Sequence, residues 1–124
     1  MHMVYLIRKV DSLYWQVRPK RVEIYADAKG CEPFSAWLAN LKDTTGRQRI
    51  LARLRRIEQE NYGDCKALGE GVLELRMNFG PGYRVYFAEK GATIVILLCG
   101  GDKNSQQQDI KTAKSYWKEY CDHA

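Results

Sequence analysis

The stretch Leu73–Phe87 reads LELRMNFGPGYRVYF, and its residues alternate between apolar and polar on both sides of a Gly-Pro-Gly sequence. Alternation with a period of two is typical of β-strands, and glycine with proline is typical of the turn that joins them. The stretch therefore predicts a β-hairpin with one apolar face directed at the core. That face would comprise Leu73, Leu75, Met77, Phe79, Tyr83, Val85 and Phe87.

The opposite face of the predicted hairpin is polar and carries two arginines. It would comprise Glu74, Arg76, Asn78, Arg84 and Tyr86. A short turn at Gly80–Gly82 places Arg76 opposite Tyr86 and Asn78 opposite Arg84. Two interpretations stay open at this point: an ordinary solvated face, or a cationic concavity that binds an anion.

Strand and helix patterns lie on both sides of the hairpin. The segment KRVEIYA (20–26) predicts a short strand, and TIVILLC (93–99) predicts a strand that is covered on both faces. EPFSAWLANL (32–41) places apolar residues at helical spacing, with Pro33 suited to the first turn. TGRQRILARLRRIEQENYG (45–63) opens with Thr45 and Gln48 at capping-box spacing, and a last helix begins in the same way at Ser105 and Gln108. The predicted apolar stripe of the second helix is Ile50, Leu51, Leu54 and Ile57.

The polar side of the second helix is rich in arginine. It carries Arg47, Arg49, Arg53, Arg55 and Arg56. Such a run is compatible with a solvated face, with contacts to phosphates, or with an acidic partner protein. We predict that Arg49, Arg53 and Arg56, on one stripe, contact RNA or a partner, together with Asn78 of the hairpin.

Composition limits the class of protein. The 124 residues, 45% of them hydrophobic, suffice for one domain, and the net charge of +5 with a pI of about 9.1 favours a polyanionic partner. We expect a cytoplasmic protein, because no apolar run reaches membrane-spanning length and no signal peptide is recognisable. Four cysteines without a C-x-x-C pair predict reduced, mostly buried thiols. We expect no metal and no other cofactor.

The turn Gly100–Lys103 has two interpretations. Two glycines followed by Lys103 could approach a phosphate, but neither the P-loop spacing nor the dinucleotide-binding spacing is present. A tight turn from strand to helix explains the same residues.

The series LGEGVLELRMNFGPGYRVYF (68–87) followed by VILLCGGDKNSQQQDI (95–110) resembles the RelE/ParE superfamily of type II toxin-antitoxin toxins, in particular the HigB-like addiction-module killer proteins. The resemblance covers about Arg21 to Tyr120. It implies an α+β fold of the RelE type: two N-terminal helices packed on a twisted, mainly antiparallel four-stranded sheet, and a C-terminal helix. Residues 1–20 would form an N-terminal extension, as a hairpin or a loosely docked segment, and residues 21–124 the toxin domain.

The resemblance also implies an activity and its partners. RelE-type members enter the ribosome and cleave mRNA without a metal, by attack of a ribose 2′-OH on the adjacent phosphate, whereas ParE-type members inhibit DNA gyrase without being enzymes. By motif position, the cationic residues at the scissile phosphate would be Arg76, Arg84 and Lys103. The implied partners are a helix-turn-helix antitoxin, the ribosome and mRNA, with no membrane and no small-molecule cofactor.

Proton transfer is the open part of this mechanism. The tyrosine that some RelE members use near the C-terminus aligns near Asp109, so the resemblance supplies no general base. Glu74, Tyr86 and Asp102 are the available candidates, with Glu74 the best acceptor if its carboxylate faces the arginines. The enzymatic class is therefore an expectation, and gyrase inhibition is the alternative.

Overall fold

A computed structural model describes residues 20–123 and shows an α+β fold with three helices and one five-stranded sheet. The elements in chain order are β1 (Arg21–Ile24), α1 (Pro33–Asn40), α2 (Thr44–Glu58), β2 (Cys65–Gly69), β3 (Val72–Arg76), β4 (Arg84–Lys90), β5 (Ile94–Gly101) and α3 (Gln106–His123). The predicted α+β class is confirmed. The proposed N-terminal extension lies outside the described residues, apart from Lys20.

The sheet is mixed and has one strand more than predicted. Its order is β1-β5-β4-β3-β2, with β1 parallel to β5 and the other neighbours antiparallel. The prediction of four strands missed β2, whose sequence CKALG lies at an edge and has mostly exposed side chains. A strand with mostly exposed side chains has no alternation of apolar and polar residues, so the sequence pattern could not predict it.

The hairpin of β3 and β4 has a longer loop than the sequence predicted. Arg76 lies opposite Arg84 and Glu74 lies opposite Tyr86, so the predicted register is wrong by two residues. The connection is the segment 77–83, which is closed by the Met77 amide donating to the Tyr83 carbonyl at 3.0 Å. A shift of two residues keeps every side chain on its predicted face, because side chains alternate with a period of two.

The first face of the sheet is covered by α1 and α2. The buried core between them consists of Phe34, Ile50, Leu54, Ile57, Leu75, Met77, Tyr83, Val85, Phe87, Val95 and Leu97. The apolar face of the hairpin is thus confirmed as core, with Leu73 and Phe79 partly buried at its margin. In the stripe of α2, Leu51 departs from prediction, since 37% of it is exposed.

The start of α2 differs from the predicted capping box. Asp43 is the N-cap, and its carboxylate accepts hydrogen bonds from the Gly46 amide and the Tyr83 hydroxyl, both at 2.9 Å. Thr45 lies inside the first turn. Asp43 is the favoured N-cap because its carboxylate accepts a hydrogen bond from one of the free amides of the first turn and also binds a core tyrosine.

The second face of the sheet is covered by α3. Its buried residues include Tyr25, Val72, Tyr86, Ala88, Ile96, Leu98, Cys99 and Ala113. The strand β5, which lies between β1 and β4, is buried on both faces, as its continuous apolar run predicted. Among residues 20–123, no helix is long and apolar enough to cross a membrane.

Candidate functional site

Three cationic residues meet at one end of the sheet. Arg76 ends β3, Arg84 begins β4 opposite it, and Lys103 follows the end of β5, where Gly101 pairs with Arg84. A Cβ placed on Gly82 would lie 3.5 Å from both Arg84 Nη1 and the Cβ of Lys103, so these side chains border the loop 77–83. We call Arg76, Arg84 and Lys103 the cationic end.

The three cations differ in their access to solvent. Lys103 is exposed, and 35% of the Arg76 side chain is exposed, but only 5% of the Arg84 side chain is. Arg84 Nη1 donates to the carbonyl oxygens of Gly82 and Tyr83, both at 3.1 Å. The interpretation of this side of the hairpin as an ordinary solvated face therefore does not hold for Arg84, which is buried. The guanidinium is folded back against its own loop.

A buried carboxylate lies behind the arginines. Glu74 is fully buried, with Oε1 3.4 Å from Arg76 Nε and Oε2 4.0 Å from Arg84 Nε. The side-chain amide of Gln106, the first residue of α3, donates to Oε2 at 2.8 Å. A carboxylate keeps its charge in such a place only with cations or donors beside it, so the arginines and Gln106 together stabilise it.

Tyr86 lies opposite Glu74 and is also fully buried. Burial, followed by the charge of Glu74, raises the pKa of the Tyr86 hydroxyl far above its ordinary value. The group therefore stays protonated at neutral pH and can donate a hydrogen bond but cannot act as a base. Among the described residues, Arg84 Nε has no hydrogen-bond partner, and Glu74 Oε1 has only the long contact with Arg76 Nε and the neighbouring Tyr86 hydroxyl. The cluster is thus buried yet incompletely satisfied, which is uncommon in proteins.

The predicted arginine stripe of α2 divides into residues with different environments. Arg53 is half-buried and donates to the carbonyls of Arg76 at 2.9 Å and Tyr62 at 2.8 Å. Arg56 is exposed. Arg49 is exposed as well, and its Cζ lies 3.9 Å from the ring centroid of Phe79. Arg53 therefore fastens α2 to the end of β3, and only the other two face solvent. Asn78 is exposed in the loop 77–83.

Packing explains the two glycines that end β5. A Cβ on Gly100 would lie 2.2 Å from Trp37 Cε3, and a Cβ on Gly101 would lie 1.8 Å from Asp109 Oδ2. No side chain fits in either place. These distances favour the tight turn over a phosphate-binding loop, while Asp102 accepts hydrogen bonds from the Asn104 and Ser105 amides at the start of α3.

The cysteines are reduced but differ from the predicted burial. Cys99 is buried and Cys65 is intermediate, whereas Cys31 and Cys121 are exposed. Residues 20–123 contain no group of three or more His, Cys, Asp or Glu side chains that could hold a metal ion.

Sequence reasoning missed two residues of this region. Gln106 binds Glu74 from the start of α3, and Phe79 lies under Arg49. The helix start at Ser105 was a signal for where Gln106 falls in the chain. No pattern, however, indicated which face of the sheet α3 covers.

Comparison with known proteins identifies the family of the chain. The profile of the family described as "Phage derived protein Gp49-like (DUF891)" matches residues 36–118, a range that includes the whole cationic end. A protein of Haemophilus influenzae, described as uncharacterized, is 47% identical over 81 residues, which are 65% of this chain and 82% of the relative. The class of proteins to which this family belongs is that of the RelE/HigB-type toxins. Within it, the chain belongs to the Gp49-like family.

Proposed function

We propose that the protein is the toxin of a type II toxin-antitoxin system of the HigB-like group, and that it cleaves mRNA on the ribosome. Membership of the Gp49-like family is compatible with a toxin of this kind. The observation that carries the activity is the convergence of Arg76, Arg84 and Lys103 at one end of the sheet. The reaction is attack of a ribose 2′-OH on the adjacent phosphate, which forms a 2′,3′-cyclic phosphate, breaks the P–O5′ bond and releases a 5′-hydroxyl that takes up a proton from solvent; no metal takes part.

Arg76 and Lys103 bind the scissile phosphate in this proposal, because they are the cations of this end that solvent reaches. Attack by the 2′-OH increases the negative charge on the phosphate oxygens, and fixed cationic donors stabilise that charge more than the ground state. Arg84 acts as a positioning residue: it holds the carbonyls of Gly82 and Tyr83 and offsets the charge of Glu74.

Glu74 is the proposed proton acceptor for the attacking hydroxyl. Its Oε2 is occupied by the Gln106 amide, so Oε1 is the oxygen that accepts the proton, once the substrate has opened a path to this buried carboxylate. Tyr86, which remains protonated, is the proposed hydrogen-bond donor beside Glu74.

The partners in this proposal are a helix-turn-helix antitoxin, the ribosome and mRNA. An antitoxin is plausible for Gp49-like toxins as a class. Arg56 is exposed on α2 and offers a charge that an acidic segment of the antitoxin can pair with.

A second candidate function is inhibition of DNA gyrase, as in ParE-type toxins. The complete burial of Glu74 and Tyr86 favours it, because a binding protein has no need of an accessible base. Arg76 and Lys103 would then contact gyrase or DNA instead of mRNA.

The experiment that separates the two adds the purified protein to a coupled translation reaction and to a gyrase supercoiling reaction. We expect translation to stop, with mRNA fragments that end in 2′,3′-cyclic phosphate. The double variant Arg76→Ala/Lys103→Ala should cleave at least a hundredfold more slowly, in line with the loss of donors to a developing charge. Arg55→Ala, which removes an exposed charge from α2, is the matched control and should retain full activity. Inhibited supercoiling with intact translation would move the protein to the gyrase class.

A further inference from the structure

The loop 77–83 carries an aromatic ring and a guanidinium in contact. Arg49 Cζ lies 3.9 Å from the centroid of the Phe79 ring, within the range of a cation–π interaction. Phe79 covers one side of the guanidinium. Arg49 is an exposed residue, so solvent reaches its side chain. We call Arg49 and Phe79 the stacking pair.

The Phe79 ring of the stacking pair is held in place by Tyr83. The Phe79 ring meets the Tyr83 ring edge-on, with centroids 5.7 Å apart and planes at 64°. The Tyr83 hydroxyl in turn donates to the Asp43 carboxylate at the start of α2. Phe79 is therefore supported by a buried tyrosine that is fixed to the same helix as Arg49, which limits the motion of the pair.

The same loop connects the stacking pair to the cationic end. Phe79 lies near the middle of the loop, Gly82 lies against Lys103, and Arg84 follows directly in the chain. A ligand that spans this loop would present a phosphate to Lys103 and a neighbouring group to Arg49. The surface combines cations for a backbone with a planar platform beside them, which is how proteins bind single-stranded nucleic acids.

We propose that the stacking pair binds one unpaired nucleobase of a single-stranded RNA whose phosphate lies at the cationic end. This inference rests on the proposed ribonuclease function and names how its substrate is held. The base stacks on the side of the Arg49 guanidinium that Phe79 does not cover, and Phe79 supports that guanidinium from the other side. Arginine suits this role and lysine does not, because the guanidinium is planar whereas an ammonium is a point charge.

The test uses bacterial ribosomes programmed with an mRNA that carries 2-aminopurine, a fluorescent base quenched by stacking, in the codon to be cleaved. The ribose before the scissile phosphate is 2′-deoxy, so the complex forms without cleavage. Binding of the wild-type protein should quench the fluorescence. Arg49→Lys and Phe79→Leu should abolish the quenching and weaken binding about tenfold, the size of one base–aromatic stack. Arg55→Ala, with its charge removed from the same helix, should behave as wild type.

Thermal unfolding of each variant provides the control for folding, since a merely structural role of Arg49 would lower the melting temperature without changing the quenching. If Arg49→Lys quenches and binds as wild type does, the stacking inference fails while the proposed function stands. If the wild-type protein does not bind the programmed ribosomes, the proposed function fails and the inference fails with it. Weaker binding of Arg49→Lys to an acidic antitoxin, with unchanged quenching, would assign Arg49 to that partner and overturn the stacking role.

Discussion

The two faces of the sheet are both buried, but by different chemistry. Under α1 and α2, the buried side chains form one core of apolar and aromatic residues. Under α3, aromatic and aliphatic residues share the face with Glu74 and Arg84, which are both less than 5% exposed. The same two strands, β3 and β4, contribute side chains to both faces. The contrast therefore comes from the alternation of their residues and not from separate parts of the chain.

This difference indicates which face is shaped by requirements other than stability. Apolar burial stabilises a fold without needing a partner of matched charge. A buried ion pair of similar volume often contributes no more than hydrophobic residues in its place, because desolvation offsets the attraction. The charges under α3, with the unpartnered Arg84 Nε, are thus better explained by a site than by a core.

The largest effect is expected from Glu74→Gln. The change leaves Arg84 buried without an opposing charge, and breaking a buried pair costs about 4 kcal/mol of unfolding free energy. Urea denaturation measures it. Glu23→Gln, which breaks the exposed pair with Arg21, is the control and should cost less than about 1 kcal/mol. A loss below about 1 kcal/mol for Glu74→Gln would mean that the two faces do not differ as described.

The double variant Glu74→Met/Arg84→Met sharpens this first test. Replacing both charges with apolar residues of similar size should restore most of the stability lost in Glu74→Gln, because no charge then remains buried. It should also abolish toxicity. A double variant that is both stable and toxic would show that the cluster serves neither purpose.

The next effect is expected on the apolar face. Ile50→Ala empties a fully buried position between α2 and the sheet and should cost about 3 kcal/mol in urea denaturation. Leu51→Ala, one residue along and 37% exposed, is the matched control and should cost about 1 kcal/mol or less. Equal losses at the two positions would contradict the assignment of the core stripe of α2.

Gly101→Ala should cost about 2 kcal/mol, because the new Cβ overlaps the Asp109 carboxylate and approaches the Ser105 hydroxyl. Urea denaturation again measures the loss. Adding Asp109→Gly removes the nearest obstacle and should recover part of it, even though glycine disfavours a helix. If Asp109→Gly instead adds a further loss of stability to that of Gly101→Ala, Gly101 is required for a reason other than this contact.

The smallest effect is a pH dependence at the start of α2. The Gly46 amide, and then the Tyr83 hydroxyl, lower the pKa of the Asp43 carboxyl below its ordinary 3.8. The depressed pKa contributes stability that is present above the unfolded pKa and is lost as the pH falls through the folded pKa. Asp43→Asn should therefore melt at a lower temperature than wild type at pH 6, and this difference should shrink as the pH falls below 3.8. A difference that persists unchanged at low pH would rule out ionisation of Asp43 as its cause.

Local patterns predicted the fold well where each residue's role depends on its neighbours in the chain. The strands of TIVILLC and LELRMNF, the helix after Pro33 and the apolar stripe of α2 were all readable, because burial on one face leaves a period in the sequence. The edge strand β2 was not readable, since its exposed residues carry no such period. The register of the hairpin failed because the loop closes at Met77 and Tyr83, well outside the glycines.

The sequence predicted which residues lie in the candidate site, but it did not predict which of them are buried. The positions of Arg76, Arg84 and Lys103 were identified from motifs, and the structure brings them to one end of the sheet. Which of them solvent can reach depends on the loop 77–83 and on the docking of α3, both of which are tertiary events. For the same reason Arg53, predicted as a surface contact, turned out to bind the carbonyl of Arg76.

The parallel pairing of β1 with β5 determines when the sheet can be completed during synthesis and folding. Arg21 pairs with Ile94 and Ile24 pairs with Leu97, so within residues 20–123 the strand β1 pairs with a strand near the end of the domain. Pairings so distant in sequence form late and slow folding. During synthesis, β1 must wait until β5 has been translated, and Lys103 and α3 follow still later. A chain that terminates before β5 cannot complete the sheet, and we expect it to be inactive.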